Sequence, residues 1–187
     1  MTLEPTASQT VGPYLHLGLC WLNEQQVAAP DCPGEHVTIR GQVLDGDGNA
    51  VNDALVELWQ ADSRGRYAHR EDPQFGQVAP GFRGFGRMHT DDDGRFVFHT
   101  IKPGPVPDSP DGVQAPHILV SVFMRGLLKR VVSRIYFPDE PLNAADRVLA
   151  LVPSERRATL IARRAGPTAL EWDVNLQGPD ETVFFDC

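Results

Sequence analysis

Glycine and proline interrupt this chain so often that long helices are excluded. The 187 residues include 17 glycines and 16 prolines. Both residue types break helices and favour turns, so the segments between them are short. Within those segments the apolar residues tend to recur at every second position, which is the period of a β-strand. The sequence therefore predicts a mainly β protein in which about eight short strands form one β-sandwich domain.

The composition excludes several functional classes. Acidic residues (25) outnumber basic ones (17), and the net charge of −8 argues against binding to nucleic-acid phosphates. No apolar run is long enough to cross a membrane, and Met1 to Gln9 lacks the features of a secretory signal. Cys20, Cys32 and Cys187 form no Cys-x-x-Cys pair, which is typical of free thiols in a reducing compartment. We therefore expect a cytoplasmic protein.

The chain divides into an arm and a body. Residues 1–34 begin with a polar stretch, bend at Gly12-Pro13 and continue into a short apolar stretch that ends near Leu22. An arm with apolar residues usually lies across a body or a partner, and we expect residues 1–34 to dock on a partner chain. Residues 35–187 contain the alternating segments and are predicted to form the β-sandwich core.

One region has a helical pattern. It lies near residues 143–165 and is split by Pro153. Ser154 could cap the second half, and Arg163-Arg164 would place positive charge in the last turn, where the helix dipole favours it. We therefore predict a short helical region here, with a helix over residues 154–164.

Two short motifs could hold a metal, but a turn explains each of them better. Asp45-Gly-Asp-Gly-Asn49 resembles the start of a calcium loop, yet Ala50 and Val56 stand where glycine and glutamate are needed. His89-Thr-Asp91 has the His-x-Asp form of iron oxygenases. It also overlaps the stretch from Thr90 to Gly94. That stretch has the composition of a hairpin turn, with aspartates for capping and a glycine for positive φ.

A set of segments, in order along nearly the whole chain, carries a family resemblance. They are Ser8-Gln-Thr-Val-Gly-Pro-Tyr14, Pro33-Gly-Glu-His36, Gly41-Gln-Val43, Val56-Glu-Leu-Trp-Gln-Ala61, Gly65-Arg-Tyr-Ala-His69, Phe85-Gly-Arg87, Thr90-Asp-Asp-Asp-Gly94, His99-Thr-Ile-Lys-Pro-Gly104, Ala115-Pro-His-Ile118, Arg134-Ile-Tyr-Phe137 and Glu181-Thr-Val-Phe-Phe-Asp186. Together they resemble the intradiol ring-cleaving dioxygenases, which implies a β-sandwich fold and an oxidoreductase activity.

The resemblance also implies a ligand set, and this chain departs from it. The family holds a non-haem ferric ion with two tyrosinates and two histidines. The corresponding positions here are Tyr67, Val106, His117 and Leu119. Val106 and Leu119 have no donor atom, so we expect this chain to hold no metal and to have no catalytic residue of its own. Tyr136, near the second pair, is expected to be a core residue.

Some members of the family are built from two homologous chains. The loss of two ligand positions in this sequence is similar to what is found in one of those two chains. In those members a β-type chain holds Fe³⁺, and an α-type chain with a degenerate site completes its pocket. The resemblance therefore implies an α-type subunit in a hetero-oligomer of αβ units. The assembly would cleave 3,4-dihydroxybenzoate with O₂ to 3-carboxy-cis,cis-muconate, and the isolated chain would be inactive.

Five residues are implied to form this chain's part of the substrate pocket. Thr10, Gly12, Pro13 and Tyr14 correspond to the part of the arm that reaches the partner's pocket. Arg125, in Phe-Met-Arg-Gly, corresponds to an arginine near the substrate, whose ring carboxylate a guanidinium can pair with charge-assisted hydrogen bonds.

Two other functions stay open from the sequence. The turn and strand pattern from Gly41 to Gly104 also occurs in transthyretin-like and carboxypeptidase-regulatory-like modules, which are not enzymes. Alternatively, the chain could be a homomeric enzyme with a rebuilt metal site that uses His89 and Asp91.

Overall fold

The computed structural model describes residues 6–108 and 112–186. Met1 to Pro5, which begin the predicted arm, lie outside the described residues, and so does Cys187 with the prediction that it is a free thiol. Strands dominate the described part. They are β1 (His36–Leu44), β2 (Leu55–Trp59), β3 (Phe85–His89), β4 (Arg95–Ile101), β5 (Val106–Asp108), β6 (Gly112–Gln114), β7 (His117–Phe123), β8 (Val131–Tyr136), β9 (Arg163–Arg164), β10 (Ala169–Glu171) and β11 (Val174–Asn175).

Helices are few and short in the described residues. The two α-helices are α1 (Pro13–Gly18) and α2 (Arg147–Leu151), and the 3₁₀ helices are Cys20–Leu22, Phe75–Gln77, Pro141–Ala145 and Arg157–Leu160. Within the same ranges, no helix combines the length and the apolar character that a bilayer crossing requires. The predicted mainly β class is confirmed.

Two sheets form the sandwich. One sheet has the order β3-β2-β7-β8 and is antiparallel throughout. In the other, β1 pairs with antiparallel β4 on one edge and with parallel β10 and β11 on the other, and β9 extends beyond β10. Strands β5 and β6 form a separate two-stranded ribbon.

The alternation of apolar residues fixes which face of each strand is buried. In β1, Val37, Ile39 and Val43 point into the core, and their polar neighbours face outward. In β7, Ile118 and Val120 do the same from the opposite sheet. Each such side chain contributes roughly 1.5–3 kcal/mol when it is fully buried. The core therefore lies between the sheets, and the outer faces are left for other roles.

Two predicted turns are present, but the strands on either side of one of them do not pair with each other as a hairpin would. Asp45 Oδ1 accepts the backbone N–H groups of Asp47 and Asn49 at 2.9 and 2.8 Å, which is the expected turn. Asp91 Oδ1 likewise accepts from Asp93 and Arg95. However, β3 and β4, which flank this second turn, belong to different sheets. The hairpin prediction was wrong because turn chemistry fixes a reversal of direction, whereas the packing of the sheets decides which strands pair.

The helical region near 143–165 is shorter than expected. It contains α2 and two 3₁₀ helices, and α2 is capped by Asp146, whose carboxylate accepts the Leu149 N–H at 2.8 Å. The predicted helix over 154–164 was wrong. Ser154 caps nothing, and Arg163 and Arg164 form β9, which pairs with β10. The strand pairing and the bond from Arg163 to Asp173 outweigh the local helical pattern.

The second half of the arm is docked on the chain's own body. Backbone hydrogen bonds join Glu24 to Arg87 in β3 and Val27 to His99 in β4. Val27 and Ala28 are fully buried. Cys32 is a buried free thiol and Cys20 an exposed one, as predicted. The part of the arm that stays on the surface is therefore residues 6–22.

Candidate functional site

The first candidate site contains the four positions that the family resemblance assigns to metal ligands, and we call it the closed site. A glycine brings two of them together. Gly65 has φ +79°, and a Cβ there would lie 2.1 Å from the Pro105 carbonyl oxygen. Because no other residue fits this approach, the loop that ends at Tyr67 can pass beside the segment that leads to Val106.

Tyr67 is packed as an aromatic residue. Its ring stacks on Trp59 with the centroids 5.7 Å apart and an interplanar angle of 4°. Trp59 lies on the outer face of β2, opposite Leu119 in β7. Burial raises the pKa of Tyr67, and the charge of Arg134 opposes this only in part. The side chain therefore stays a neutral phenol rather than a phenolate.

An arginine supplies the positive charge of the closed site. Arg134 in β8 lies opposite Leu119, and its Nη1 donates to Gln114 Oε1 at 2.8 Å. The nearby His117 donates from Nδ1 to the Ala115 carbonyl oxygen at 2.7 Å. Burial first, and then the Arg134 charge, lower the pKa of His117, so the imidazole is neutral at pH 7.

Buried polar groups with partners stabilise the structure around this site. Tyr136 is fully buried, which confirms its expected core role, and its hydroxyl donates to Asp146 Oδ1 at 3.0 Å. Burial raises the pKa of Tyr136 to about 12. Asp146 also accepts the N–H groups of Ala115 and Leu149, each at 2.8 Å. One carboxylate thus ties β8, α2 and the segment before β7 together.

The closed site does not fit a ferric ion. Val106 and Leu119 offer only carbon, Tyr67 is a stacked phenol, and the Arg134 guanidinium would repel a cation. In the part of the chain that the structure describes, the one triad of His, Cys, Asp or Glu with metal-ligand spacing is found elsewhere, beside the arm. Asp91, weighed from the sequence as a ligand with His89, is instead bonded within its turn.

The second candidate site lies where the arm meets the body, and we call it the arm cavity. It has a volume of about 270 Å³ and is lined by Val11, Gly12, Pro13, Leu15, His16, Asp53 and Arg125. Three residues that the sequence placed in a substrate pocket, Gly12, Pro13 and Arg125, therefore line one cavity. A volume of this size suits a small molecule or a side chain of another protein.

Thr10 fixes the arm to the loop that carries Arg125. Its Oγ1 donates to the Met124 carbonyl oxygen at 3.2 Å and accepts the Gly126 N–H at 3.1 Å. Thr10 and Tyr14 are the two predicted pocket residues that do not line the cavity. The ring of Tyr14 points away from the body and is 82 % exposed.

Arg125 is positioned by an aspartate that sequence reasoning missed. Its Nε lies 3.0 Å from Asp53 Oδ2, and its side chain is 78 % exposed. The contact uses Nε, so the terminal nitrogens remain for a second carboxylate. Asp53 follows Asn52 in the turn before β2, a pair that is typical of turns, and no local pattern indicates its partner.

The arm also presents apolar side chains to solvent. Tyr14, Leu17 and Trp21 are 82, 76 and 75 % exposed. They lie within one short stretch of the arm, which follows directly on the cavity's lining residues Gly12 and Pro13. An apolar cluster of this kind on a surface marks a site of interaction.

Comparisons with known proteins agree that the chain is similar to dioxygenases. A family model described as "Dioxygenase" matches residues 14–178. The chain is 49 % identical to the protocatechuate 3,4-dioxygenase alpha chain of Burkholderia cepacia, over 99 % of this chain and 98 % of that one. It is 42 % identical to the alpha chain of Pseudomonas putida, over 98 % and 97 %. The beta chain of Burkholderia cepacia is 39 % identical, over 80 % of this chain and 67 % of that one.

Solved structures show the same fold. The dioxygenase domain of a carbohydrate-binding fusion protein from Streptomyces sp. SirexAA-E superposes with a TM-score of 0.63 and 26 % identity, covering 86 % of this chain and 89 % of that one. Catechol 1,2-dioxygenase from Acinetobacter sp. ADP1 superposes with a TM-score of 0.65 and 20 % identity, covering 84 % and 62 %. At 20 % identity, the similarity to the catechol 1,2-dioxygenase concerns the fold alone.

Proposed function

The chain belongs to the intradiol dioxygenase family, and from this premise we propose that it is the α-type subunit of a protocatechuate 3,4-dioxygenase. In this proposal a homologous β-type subunit holds Fe³⁺, and the present chain completes its substrate pocket. The assembly cleaves 3,4-dihydroxybenzoate with O₂ to 3-carboxy-cis,cis-muconate. It works in the cytoplasm, where Cys20 and Cys32 stay reduced.

The observation that carries the proposal is the content of the closed site. Two of the four family ligand positions are Val106 and Leu119, and a guanidinium, that of Arg134, lies beside them. A chain that keeps the fold of the family but not its ligands can contribute to the reaction only through another chain. The full-length identity to two alpha chains supports the same role.

The arm supports a role at an interface. Residues 6–22 expose Tyr14, Leu17 and Trp21, and burying such side chains against a partner gains roughly 25 cal/mol for each Å² of apolar surface removed from water. We expect the partner subunit to cover this cluster. In that arrangement Gly12 and Pro13, which bend the arm, would pass close to a planar substrate.

Arg125 is proposed to recognise the ring carboxylate of the substrate. It is positioned by Asp53 and is exposed, so a second carboxylate can reach its terminal nitrogens. Thr10 would contribute indirectly, because its two hydrogen bonds hold the arm against the Met124–Gly126 loop. Tyr14 would contribute by packing against the partner.

Co-expression with the β-type chain of the same organism tests the proposal. We expect the isolated chain to contain no iron and to have no activity, and the co-purified complex to contain iron. The complex should consume O₂ when 3,4-dihydroxybenzoate is added, and the absorbance of the substrate should decay. Iron and ring cleavage in the isolated chain would refute the proposal.

The comparisons support this function and not the non-enzymatic β-sandwich module that the turn pattern also allowed. A pull-down with the β-type chain separates the two. Such a module would ignore that chain, whereas an α-type subunit should bind it through the arm.

A further inference from the structure

Three metal-binding side chains meet where the arm crosses β3. His16 lies in α1, Cys20 begins the following 3₁₀ helix, and His89 ends β3. One ligand atom from each lies within 4.8 Å of the other two. Ligands around a tetrahedral zinc ion lie about 3.3–3.6 Å apart, with bonds of about 2.0–2.3 Å. The three atoms therefore need to close by only about 1 Å to share an ion.

His89 is already prepared as a ligand. Its side chain is 93 % buried (7 % exposed), and its Nε2 has no hydrogen-bond partner among the described residues. Its Nδ1 lies 2.7 Å from Asn23 Oδ1, and that oxygen also accepts the His89 backbone N–H at 3.2 Å. Because Asn23 Oδ1 accepts a backbone N–H, it is the amide oxygen and has no hydrogen to donate. In the second contact the donor must therefore be Nδ1, which carries the ring proton. Nε2 is left with a free lone pair in a buried place.

The positions of the other two side chains also agree with a metal site. The rings of His16 and His89 meet edge to face with their centroids 5.5 Å apart. Cys20 is exposed and donates its thiol proton to the His16 carbonyl oxygen at 2.6 Å. Its exposure gives an ion a path from solvent.

We propose that His16, Cys20 and His89 bind one Zn²⁺ ion that clips the arm to the body. Binding replaces the Cys20 thiol proton, which leaves to solvent, and joins Sγ and one nitrogen of each imidazole to the ion. Two nitrogens and one thiolate leave a fourth position for water or a ligand from another chain. The ion would fix α1 and would thereby hold Gly12 and Pro13 at the arm cavity.

Titration of the full-length chain with Co²⁺, after treatment with a chelator, tests this site. Tetrahedral Co²⁺ bound to a thiolate has a near-ultraviolet charge-transfer band, and Zn²⁺ should displace the ion and abolish the band. We expect one Co²⁺ per chain. Cys20→Ala should remove the band, and His16→Ala should weaken binding at least about tenfold. Cys32→Ala and Cys187→Ala are the matched controls. Each should leave the charge-transfer band and the affinity for Co²⁺ unchanged.

A second measurement keeps the site distinct from folding defects. Excess Zn²⁺ should slow protease cleavage within residues 6–22 of the wild type but not of His16→Ala, whose substitution lies in a surface helix. The proposal is overturned if the band is absent, if it survives Cys20→Ala, or if Cys32→Ala abolishes it. Because the test uses zinc and cobalt on the isolated chain, it is independent of whether a partner holds iron.

Discussion

The closed site and the arm cavity lie in one chain but are built in opposite ways. In the closed site the polar groups are buried and paired, as Tyr136 is with Asp146, and an aromatic stack covers Tyr67. In the arm cavity the walls are open, Arg125 is largely exposed, and the adjacent arm presents apolar side chains to water.

This difference separates stability from function. A buried carboxylate with three partners contributes strongly to folding, whereas an exposed ion pair contributes little. An exposed arginine with free donors is, in turn, available to a ligand. We therefore expect substitutions in the closed site to change stability, and substitutions in the arm cavity to change activity of the assembled enzyme.

The largest effect is expected from Asp146→Asn. The substitution keeps the shape of the side chain but removes a buried charge that accepts three hydrogen bonds. The free energy of unfolding should fall by about 3 kcal/mol, as measured by urea denaturation. Asp139→Asn is the control, because Asp139 pairs with Arg164 at the surface and should change stability by less than about 1 kcal/mol. Equal losses in the two variants would contradict the picture of a rigid closed site.

Arg125→Ala should reduce activity without reducing stability. In the complex with the β-type chain, loss of a charge-assisted pair should lower kcat/KM for 3,4-dihydroxybenzoate about 30-fold, or about 2 kcal/mol. Arg125→Lys should recover only part of it, since an ammonium lacks the planar fork. Arg130→Ala is the matched control, because Arg130 is also exposed and lies only five positions further along the chain. If both alanine variants lose the same activity, the loss reflects surface charge and not recognition.

The pH dependence of stability should depend on His117. Burial lowers the pKa of His117 below the ordinary value of 6.5. In the unfolded chain His117 therefore binds a proton near pH 6.5, whereas in the native chain it does so only at a lower pH. The free energy of unfolding consequently falls as the pH decreases below 6.5. This histidine contributes a slope of up to about 1.4 kcal/mol per pH unit, measurable by urea unfolding between about pH 7.5 and about pH 5. His117→Gln should flatten the slope, and His69→Gln, in a loop, should not. An unchanged slope in His117→Gln would assign the acid sensitivity to other groups.

Thr10→Val should give the smallest effect, confined to the arm. It removes the two hydrogen bonds to Met124 and Gly126 while keeping the shape of the side chain. Local opening should become easier by about 1 kcal/mol, which is about fivefold faster amide exchange in the arm, with global stability unchanged. Ser8→Ala, at an exposed position of the same arm, is the control. Equally fast exchange in wild type and Thr10→Val would show that these bonds do not hold the arm.

The fold could be predicted as far as the burial pattern reaches. Apolar residues alternate from His117 to Phe123, which is the pattern of a strand, and β7 has those bounds. The helix over residues 154–164 could not be excluded from sequence, because Arg164 and Arg163 pair with Leu170 and Glu171, and local propensity contains no information about that pairing.

The candidate site was predicted only in part. The resemblance indicated Arg125, Gly12 and Pro13, and the structure brings them to one cavity. It did not indicate Asp53 or the role of Arg134. The contact of Asp53 with Arg125 and the place of Arg134 in the closed site depend on which residues become neighbours across strands and loops. Arg134, for example, lies opposite Leu119 only because of the register between β7 and β8.

The pairing of β1 has a consequence for the order of events during synthesis. One edge of β1 is covered by β4, which is separated from it by β2 and β3, but the other edge pairs with residues 169–175, which are synthesised much later. Until then a nine-residue strand offers unpaired backbone groups to any neighbouring chain. The nascent chain is thus exposed to aggregation between the synthesis of β1 and that of residues 169–175, and it can complete its second sheet only after those residues have been made.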